Sequence, residues 1–280
     1  NGFISLYTNN GEISNKGVEL NVAGDVVRAG YFVWNSNLIF SYNKNKVLKF
    51  YKPPFSGASS ALTETTYLEG YEYGPHFALK WAGLDPEDGS PRVYNKDGEI
   101  VKKFSELTPD DVYHVGTRFA PVTGSWSNTF RYKGFSLSAF LEFVLGNKVV
   151  YTNNYIDDAY DMTINTTTAA LNYWKKPGDT GVSPRPVANN PGAYYVGYST
   201  RFLQDGSYCR IKDITLSYTI PSTITDKIKM NGIKVYVSAL NPYTFHGVTA
   251  MDPEFGHLGY TMGAAHSMVK SFIGGVEVSF

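Results

Sequence analysis

The chain repeatedly alternates apolar and polar residues with a period of two. In the last run, one face carries Phe272, Val276, Val278 and Phe280, while most of the intervening residues are small or polar. Successive side chains of a β-strand point to opposite faces, so this alternation predicts a strand with one apolar face. Such a face packs against a second sheet in a soluble sandwich. In a membrane barrel it contacts lipid, and the other face lines a watery lumen.

Seven runs of this kind predict seven strands. They cover residues 18–26, 34–42, 125–132, 135–145, 213–220, 233–240 and 271–280. The sixth is the least regular, because Tyr236 and Leu240 share its other face. Each run has roughly the 9–11 residues that a tilted strand needs to cross a bilayer core.

The connections between these runs alternate in length. Short turns join the first run to the second and the third to the fourth, and a moderate connection, 221–232, joins the fifth to the sixth. Long stretches predicted to be irregular, 44–123, 148–207 and 242–267, make the other connections. This alternation is typical of an outer-membrane barrel with short periplasmic turns and long extracellular loops, and it places Phe280 on the periplasmic side. We therefore favour a membrane barrel over a soluble sandwich.

Composition limits the alternatives. Charged residues make up 18% of the 280 residues and the formal net charge is zero, so nothing indicates a nucleic-acid partner. The single cysteine, Cys209, excludes an internal disulfide and a cysteine-rich zinc site. The chain opens on Asn1 rather than Met and shows no signal peptide, so we expect it to be a piece of a longer protein.

The motifs of common enzymes are absent from the sequence, so we expect neither catalysis nor a cofactor. Two groups of loop residues have the side chains of metal ligands: His246, His257 and His266 near Asp252 and Glu254, and the acidic turn of Asp85, Glu87 and Asp88. The spacing of the first group fits no zinc template, and the second lacks the full EF-hand pattern. We expect no metal at either place.

A series of short motifs runs the length of the chain. They are NKGVEL at 15–20, KWAGLDPEDG at 80–89, NTFRYKGFSL at 128–137, YWKKPGD at 173–179, DGSY at 205–208 leading to IKDITLSY at 211–218, and MDPE at 251–254. In this order they resemble the SusC/RagA branch of the TonB-dependent outer-membrane transporters. The resemblance covers essentially the whole chain.

The resemblance implies a barrel of about 22 strands in a Gram-negative outer membrane. It also implies an N-terminal plug, a SusD-like surface lipoprotein as lid, and import of glycan oligosaccharides or peptides with energy passed on by the TonB complex. About seven strands are present here, without a plug or a TonB box. We therefore expect residues 1–280 to be the C-terminal portion of the barrel: an all-β, antiparallel, transmembrane segment with long extracellular loops.

Aromatic residues in the second long loop are the candidates for ligand contact, because flat rings stack on sugars and peptide side chains. The candidates are Tyr151, Tyr155, Tyr160, Tyr173, Trp174, Tyr194 and Tyr195. The alternative is that many of them pack against neighbouring loops or the lid. Charged residues on the lumenal face, which keep the lumen wet and can tune its field, are Glu19, Asp25, Arg131, Glu142 and Asp213. The terminal Phe280 resembles the signal that the barrel-assembly machinery reads.

Two other functions stay open at this point. One is a secreted all-β carbohydrate-binding module, and the other is a porin without energy coupling. In the secreted module, the apolar residues of the strands would pack against a second sheet, whereas in a barrel they would form an outward band in contact with outer-membrane lipid. The diagnostic residues are Val18, Leu20, Leu137, Leu141, Val276 and Val278.

Overall fold

The strands account for most of the regular structure. The computed structural model describes residues 11–51, 54–63, 67–151, 165–179, 183–187, 192–249, 252–254 and 268–280. In chain order the strands are β1 Gly11–Ala29, β2 Phe32–Phe50, β3 Pro75–Ala78, β4 Lys80–Leu84, β5 Pro91–Tyr94, β6 Ile100–Val101, β7 Tyr113–Thr117, β8 Val122–Tyr132, β9 Phe135–Leu145, β10 Lys148–Val150, β11 Leu203–Asp205, β12 Tyr208–Thr219, β13 Gly232–His246 and β14 Ser271–Ser279.

Seven of these strands form one antiparallel sheet, in the order β1-β2-β8-β9-β12-β13-β14. They correspond one to one to the seven predicted runs, so the predicted all-β antiparallel fold is confirmed. The first two strands are longer than predicted, with 19 residues each. Both extend past the other strands at the end opposite the β1–β2 turn, because β8 pairs with β2 only as far as Tyr42.

Tight turns join neighbouring strands at one end of this sheet, which we call the turn end. Lys133 and Gly134 connect β8 to β9 with φ angles of 44° and 88°. Two successive positive φ angles are typical of the type I′ turn, whose twist matches that of the flanking strands. A Cβ at Gly134 would also lie 2.8 Å from the Thr219 carbonyl oxygen. Both the positive φ and this close contact therefore favour glycine at this position. The opposite end, where the long connections leave, is the loop end.

One face of the sheet is a largely apolar band, in which the polar Ser36 and Asn128 accept hydrogen bonds from the indole N–H groups of Trp126 and Trp34. The register carries it across strands, because Leu137 pairs with Leu216 and Leu216 pairs with Val237. The exposed fraction is 63% for Val18 and Val276, 48% for Leu20, 40% for Leu137 and 38% for Val278, while Leu141 is half-buried. Within the described residues, no second sheet covers this face. The described residues therefore do not support the alternative of a secreted sandwich module, whose core would lie between two sheets.

The long connections are more ordered than the sequence predicts. They contain the small sheets β3-β7, β4-β5-β6 and β10-β11, all at the loop end. They also hold the helices Ala58–Leu62 and Gly192–Gly197 and the 3-10 turns Phe104–Glu106, Pro109–Asp111, Thr168–Leu171 and Thr200–Phe202. The helix Ser222–Thr225 and the 3-10 turn Asp226–Ile228 lie between β12 and β13. The prediction of irregular loops was wrong because strands of two to five residues are too short to show a period.

The buried core lies in these loops rather than in the large sheet. Leu79 and Val93 are fully buried and pack with Phe104, Val196 and Phe202, which come from both the first and the second long connection. The two connections therefore fold into one unit at the loop end of the sheet, which we call the loop unit. None of the helices in the described ranges is long and apolar enough to cross a membrane.

A buried histidine lies in the loop unit. The His76 side chain is 8% exposed, and its Nε2–H donates to the Lys148 carbonyl oxygen at 3.1 Å. Burial, together with the positive charge of Arg118, lowers the pKa of His76 to about 4. The imidazole is therefore neutral at physiological pH.

Candidate functional site

Charged side chains converge on the polar face of the sheet, at the loop end of β12. The guanidinium of Arg210 forms ion pairs with Asp252 and, at 3.1 Å, with Glu254. The Lys212 ammonium lies 2.9 Å from Glu254 and 3.4 Å from Glu142 of β9. We call these five residues the ionic cluster.

Strand alternation brings the two cations of the ionic cluster together. Arg210 and Lys212 are two residues apart on β12, so both side chains lie on its polar face and reach the same acidic partner, Glu254. The register with both neighbouring strands shifts between Ile211 and Asp213, so Lys212 has no paired residue on either side. This bulge returns the next side chain, Asp213, to the polar face as well, because Asp213 pairs with Phe140. After the bulge, Asp213 accepts hydrogen bonds from the hydroxyls of Thr215 and Ser238.

The cluster joins the last long connection to the sheet. Arg210 is only 1% exposed, and a charge so deeply buried requires ionic partners. Its partner Asp252 also accepts the backbone N–H groups of Met268 and Glu254, each at 3.0 Å. Burial alone would raise the pKa of Asp252, but these N–H donors and Arg210 outweigh it and hold the pKa below its usual value. Asp252 is therefore ionised at neutral pH.

A pocket of about 400 Å³ opens beside Arg210, between the upper part of β13 and the segment that leads into β14. It is lined by Arg210, Asn241, Tyr243, Thr244, His246, Asp252, Pro253, Met268 and Lys270. The sequence predicted neither this pocket nor the ionic cluster: Glu142 was expected only as a lumenal charge, and Asp252 and Glu254 only as neighbours of a histidine group. The available signal was the MDPE motif, whose two acidic residues follow the cations by 42 positions.

Most of the described aromatic candidates pack within the loop unit. Tyr151 and Tyr195 pack against its buried core, and the ring of Tyr195 stacks on Phe104 with centroids 5.2 Å apart. Trp174 is 6% exposed, and Tyr173 is half-buried beside the ammonium of Lys175.

The remaining candidates are less fully described. Tyr155 and Tyr160 lie outside the described residues, and Tyr194 belongs to the helix Gly192–Gly197 without a described side chain. Phe280 follows β14 and is 85% exposed. Ligand contact by the tyrosines and Trp174, and the assembly role of Phe280, stay predictions.

The acidic turn at residues 85–90 forms ion pairs with a lysine. The Lys102 ammonium pairs with Asp85 and lies 3.6 Å from Asp88, so a lysine compensates the charge of these carboxylates. The hydrogen bond from Lys102 is the main cause of the lowered pKa of Asp85. No group of three or more histidine, cysteine or acidic side chains suited to a metal occurs within the described part of the chain. His246 ends β13, whereas His257 and His266 lie outside that part.

Comparison with known proteins gives consistent relatives. No protein-family model matches the chain. TonB-dependent receptor P3 of Formosa agariphila is 26% identical over 269 residues, which cover 90% of this chain and 26% of the receptor. TonB-dependent receptor P26 of the same organism is also 26% identical, over 92% of this chain and 27% of its own length. The chain thus spans about a quarter of these receptors.

Two solved structures share the fold over the whole chain. The RagAB peptide transporter superposes with a TM-score of 0.77 at 23% identity and is covered to 31% of its length. The RagAB peptide importer in its open-open state gives a TM-score of 0.78 at 23% identity, with 30% of its length covered. These similar proteins are receptors and transporters rather than enzymes. The chain is an outer-membrane protein: it is similar to TonB-dependent receptors over nearly its whole length, and its fold is that of a stretch of barrel wall, with its loops, of the RagAB transporter.

Proposed function

We propose that this chain is the C-terminal barrel portion of a TonB-dependent importer that takes up peptides or glycan oligosaccharides. In this proposal the seven-stranded sheet is barrel wall, its turn end faces the periplasm and its loop end faces the outside. A SusD-like lipoprotein closes the loop end, and the TonB complex acts through a plug that belongs to the rest of the receptor. Release of the ligand inward then depends on that plug.

The apolar band on one face of the sheet, opposite the ionic cluster, is the observation that carries this proposal. In water, the exposed Val18, Leu20 and Val276 would each lose the stabilisation of burial, about 1.5–3 kcal/mol per side chain. In a bilayer they contact acyl chains instead, and the polar face lines the lumen. The similarity to the RagAB peptide importer supports transport, and its name supports peptides as one class of ligand.

The loop unit supports a role in ligand capture. It forms a folded layer at the loop end with its own hydrophobic core, so its surface is presented in a defined shape. We propose that Tyr151, Tyr155, Tyr160, Tyr173, Trp174, Tyr194 and Tyr195 contribute to ligand capture, either by contacting the ligand or by shaping the loops that do.

Growth of the producing bacterium tests the proposed function. The gene for the whole receptor is deleted, and growth is measured with a peptide mixture or an oligosaccharide mixture as the sole source of carbon. We expect growth to fail on at least one mixture and to return with the complete gene. We also expect it to fail when TonB is inactivated. Growth that depends on the receptor gene but persists without TonB would instead indicate a porin, and normal growth of the deletion strain on every mixture would refute import.

A further inference from the structure

The pocket beside the ionic cluster contains hydrogen-bond donors without acidic partners. Lys270 lines it, and no carboxylate among the described residues pairs with this ammonium. The His246 imidazole also lines the pocket, and among the described residues it takes part in no ion pair. The Nε atom of Arg210 is buried and lacks a hydrogen-bond partner in the described structure. A buried N–H donor without a partner costs about 1–3 kcal/mol, so an acceptor from a ligand would relieve a real penalty.

Asp252 is the acidic side chain among the described residues of the lining. It accepts from the Arg210 guanidinium and from the backbone N–H groups of Met268 and Glu254. Within this lining, Arg210 and Lys270 carry two positive charges against the single negative charge of Asp252, while Glu254 and Glu142 of the ionic cluster face Arg210 and Lys212 outside the lining. The Thr244 hydroxyl and the Asn241 side chain add neutral polar groups to the lining.

The pocket lies where an imported ligand has to pass. Arg210 and Thr244 pair across β12 and β13 and belong to the polar face that lines the lumen. Both lie near the loop end, at the outer mouth of the barrel in the proposed orientation. A volume of about 400 Å³ falls in the range of small-ligand pockets and accommodates one residue of a peptide or one sugar unit.

We propose that this pocket binds a carboxylate group of the imported oligomer, with Lys270, His246 and the Nε–H of Arg210 as its donors. The carboxylate is the C-terminal or side-chain carboxylate of a peptide, or that of an acidic sugar. Hydrogen bonds between ionised groups are about twice as strong as neutral ones, so the pocket selects for anionic oligomers. The inference rests on the proposed function, because it assigns a substrate class to the same transporter.

Binding by the purified, complete receptor tests the inference directly. The probes are an N-acetylated six-residue peptide without charged side chains and with a free C-terminal carboxylate, the same peptide with a C-terminal amide, a trigalacturonate and its methyl ester. Wild type is compared with Lys270→Gln and with the control Lys234→Gln. Lys234 is an exposed lysine near the turn end of β13, far from the pocket. Lys270 is exposed, so its replacement should leave the fold intact.

We expect wild type to bind at least one free acid more tightly than its amide or ester. Lys270→Gln should weaken that binding about two- to five-fold, the range for one exposed ionic contact, and leave the neutral probes unchanged. A preference for the peptide acid identifies a peptide carboxylate as the ligand group, and a preference for trigalacturonate identifies an acidic sugar. The double variant Lys270→Gln/His246→Gln should lose the preference further, and Lys234→Gln should match wild type.

Two results would overturn the inference: equal binding of acids and neutral counterparts by wild type, or an equal loss for both in Lys270→Gln. TonB-dependent uptake of the same probes by cells is measured in parallel. Uptake without any carboxylate preference contradicts the inference and leaves the proposed function standing. A carboxylate preference in binding without TonB-dependent uptake supports the pocket and contradicts the proposed import.

Discussion

Replacing Leu38 by arginine should destabilise the folded barrel strongly. Leu38 lies on the apolar band, where it pairs with Val22 on one side and Trp126 on the other, midway between the turn end and the loop end. Its side chain is 36% exposed, so an arginine there would point into the acyl chains. An arginine near the bilayer midplane of an outer-membrane barrel costs about 2–4 kcal/mol.

The next residue supplies a matched control. Ile39 is similar in size and 44% exposed, but it belongs to the polar face, where it pairs with Asn21 and Ser125. Ile39→Arg should therefore change the free energy of unfolding by less than about 1 kcal/mol, because the guanidinium stays in water. We therefore expect a large loss of stability for arginine at position 38 and a small change for arginine at the neighbouring position 39.

The assay is urea unfolding of the complete receptor in lipid vesicles, followed by its heat-modifiable migration in gels. A cost of about 2–4 kcal/mol lowers the folding equilibrium constant of Leu38→Arg by a factor of about 30 to 700 relative to wild type. Equal destabilisation by the two arginines, or a larger effect at Ile39, would refute the assignment of the two faces.

Three further predictions concern the loops and the C-terminus. Gly89→Ala should destabilise the loop unit by about 1–3 kcal/mol, because φ is +71° and an added Cβ would lie 2.6 Å from Cε3 of Trp174. Gly98 has a similar φ but open space around it, so Gly98→Ala should destabilise the loop unit less. Limited proteolysis of the loops measures both effects. Protonation of His76 should destabilise the loop unit, because the pKa of this imidazole is lower in the folded than in the unfolded chain. The free energy of unfolding of the loop unit should therefore be highest above pH 6.5 and should fall by up to about 3 kcal/mol as the pH drops towards 4. His76→Gln should remove this pH dependence of protease resistance, and a persistent dependence would assign it to another group. Phe280→Ala should lower the amount of folded receptor in the outer membrane, and an unchanged surface level would count against an assembly role.

The sheet was predictable because its signal is long and local. Each transmembrane strand carries most of its apolar residues on one face, and a one-residue error in register would move the whole apolar set to the wrong face. The bulge at Lys212 was not predictable, since its effect depends on both neighbouring strands. The order of the motifs indicated the resemblance to SusC/RagA-type receptors, whereas composition alone did not decide whether the apolar face meets lipid or a second sheet.

The candidate site was only partly predictable, because its contacts are distant in sequence. Arg210 and Asp252 are 42 residues apart, and nothing local marks them as partners. The packing of Tyr195 was equally unpredictable. Its loop position led us to expect an exposed ring, but the ring stacks on Phe104, which comes from the other long connection. Tertiary packing of this kind determines whether a loop aromatic is free to meet a ligand.

The lipid and water exposure of alternate residues along β9 tests the central claim most directly. Single cysteines are placed at positions 136, 137, 138, 141 and 142 of the complete receptor after Cys209→Ser, spin-labelled and studied in vesicles. The account predicts that labels at 137 and 141 collide mainly with oxygen dissolved in lipid. Labels at 136, 138 and 142 should collide mainly with a water-soluble nickel chelate. A pattern without this two-residue period, or with water on the Leu137 face, would contradict the assignment of this chain to a barrel wall.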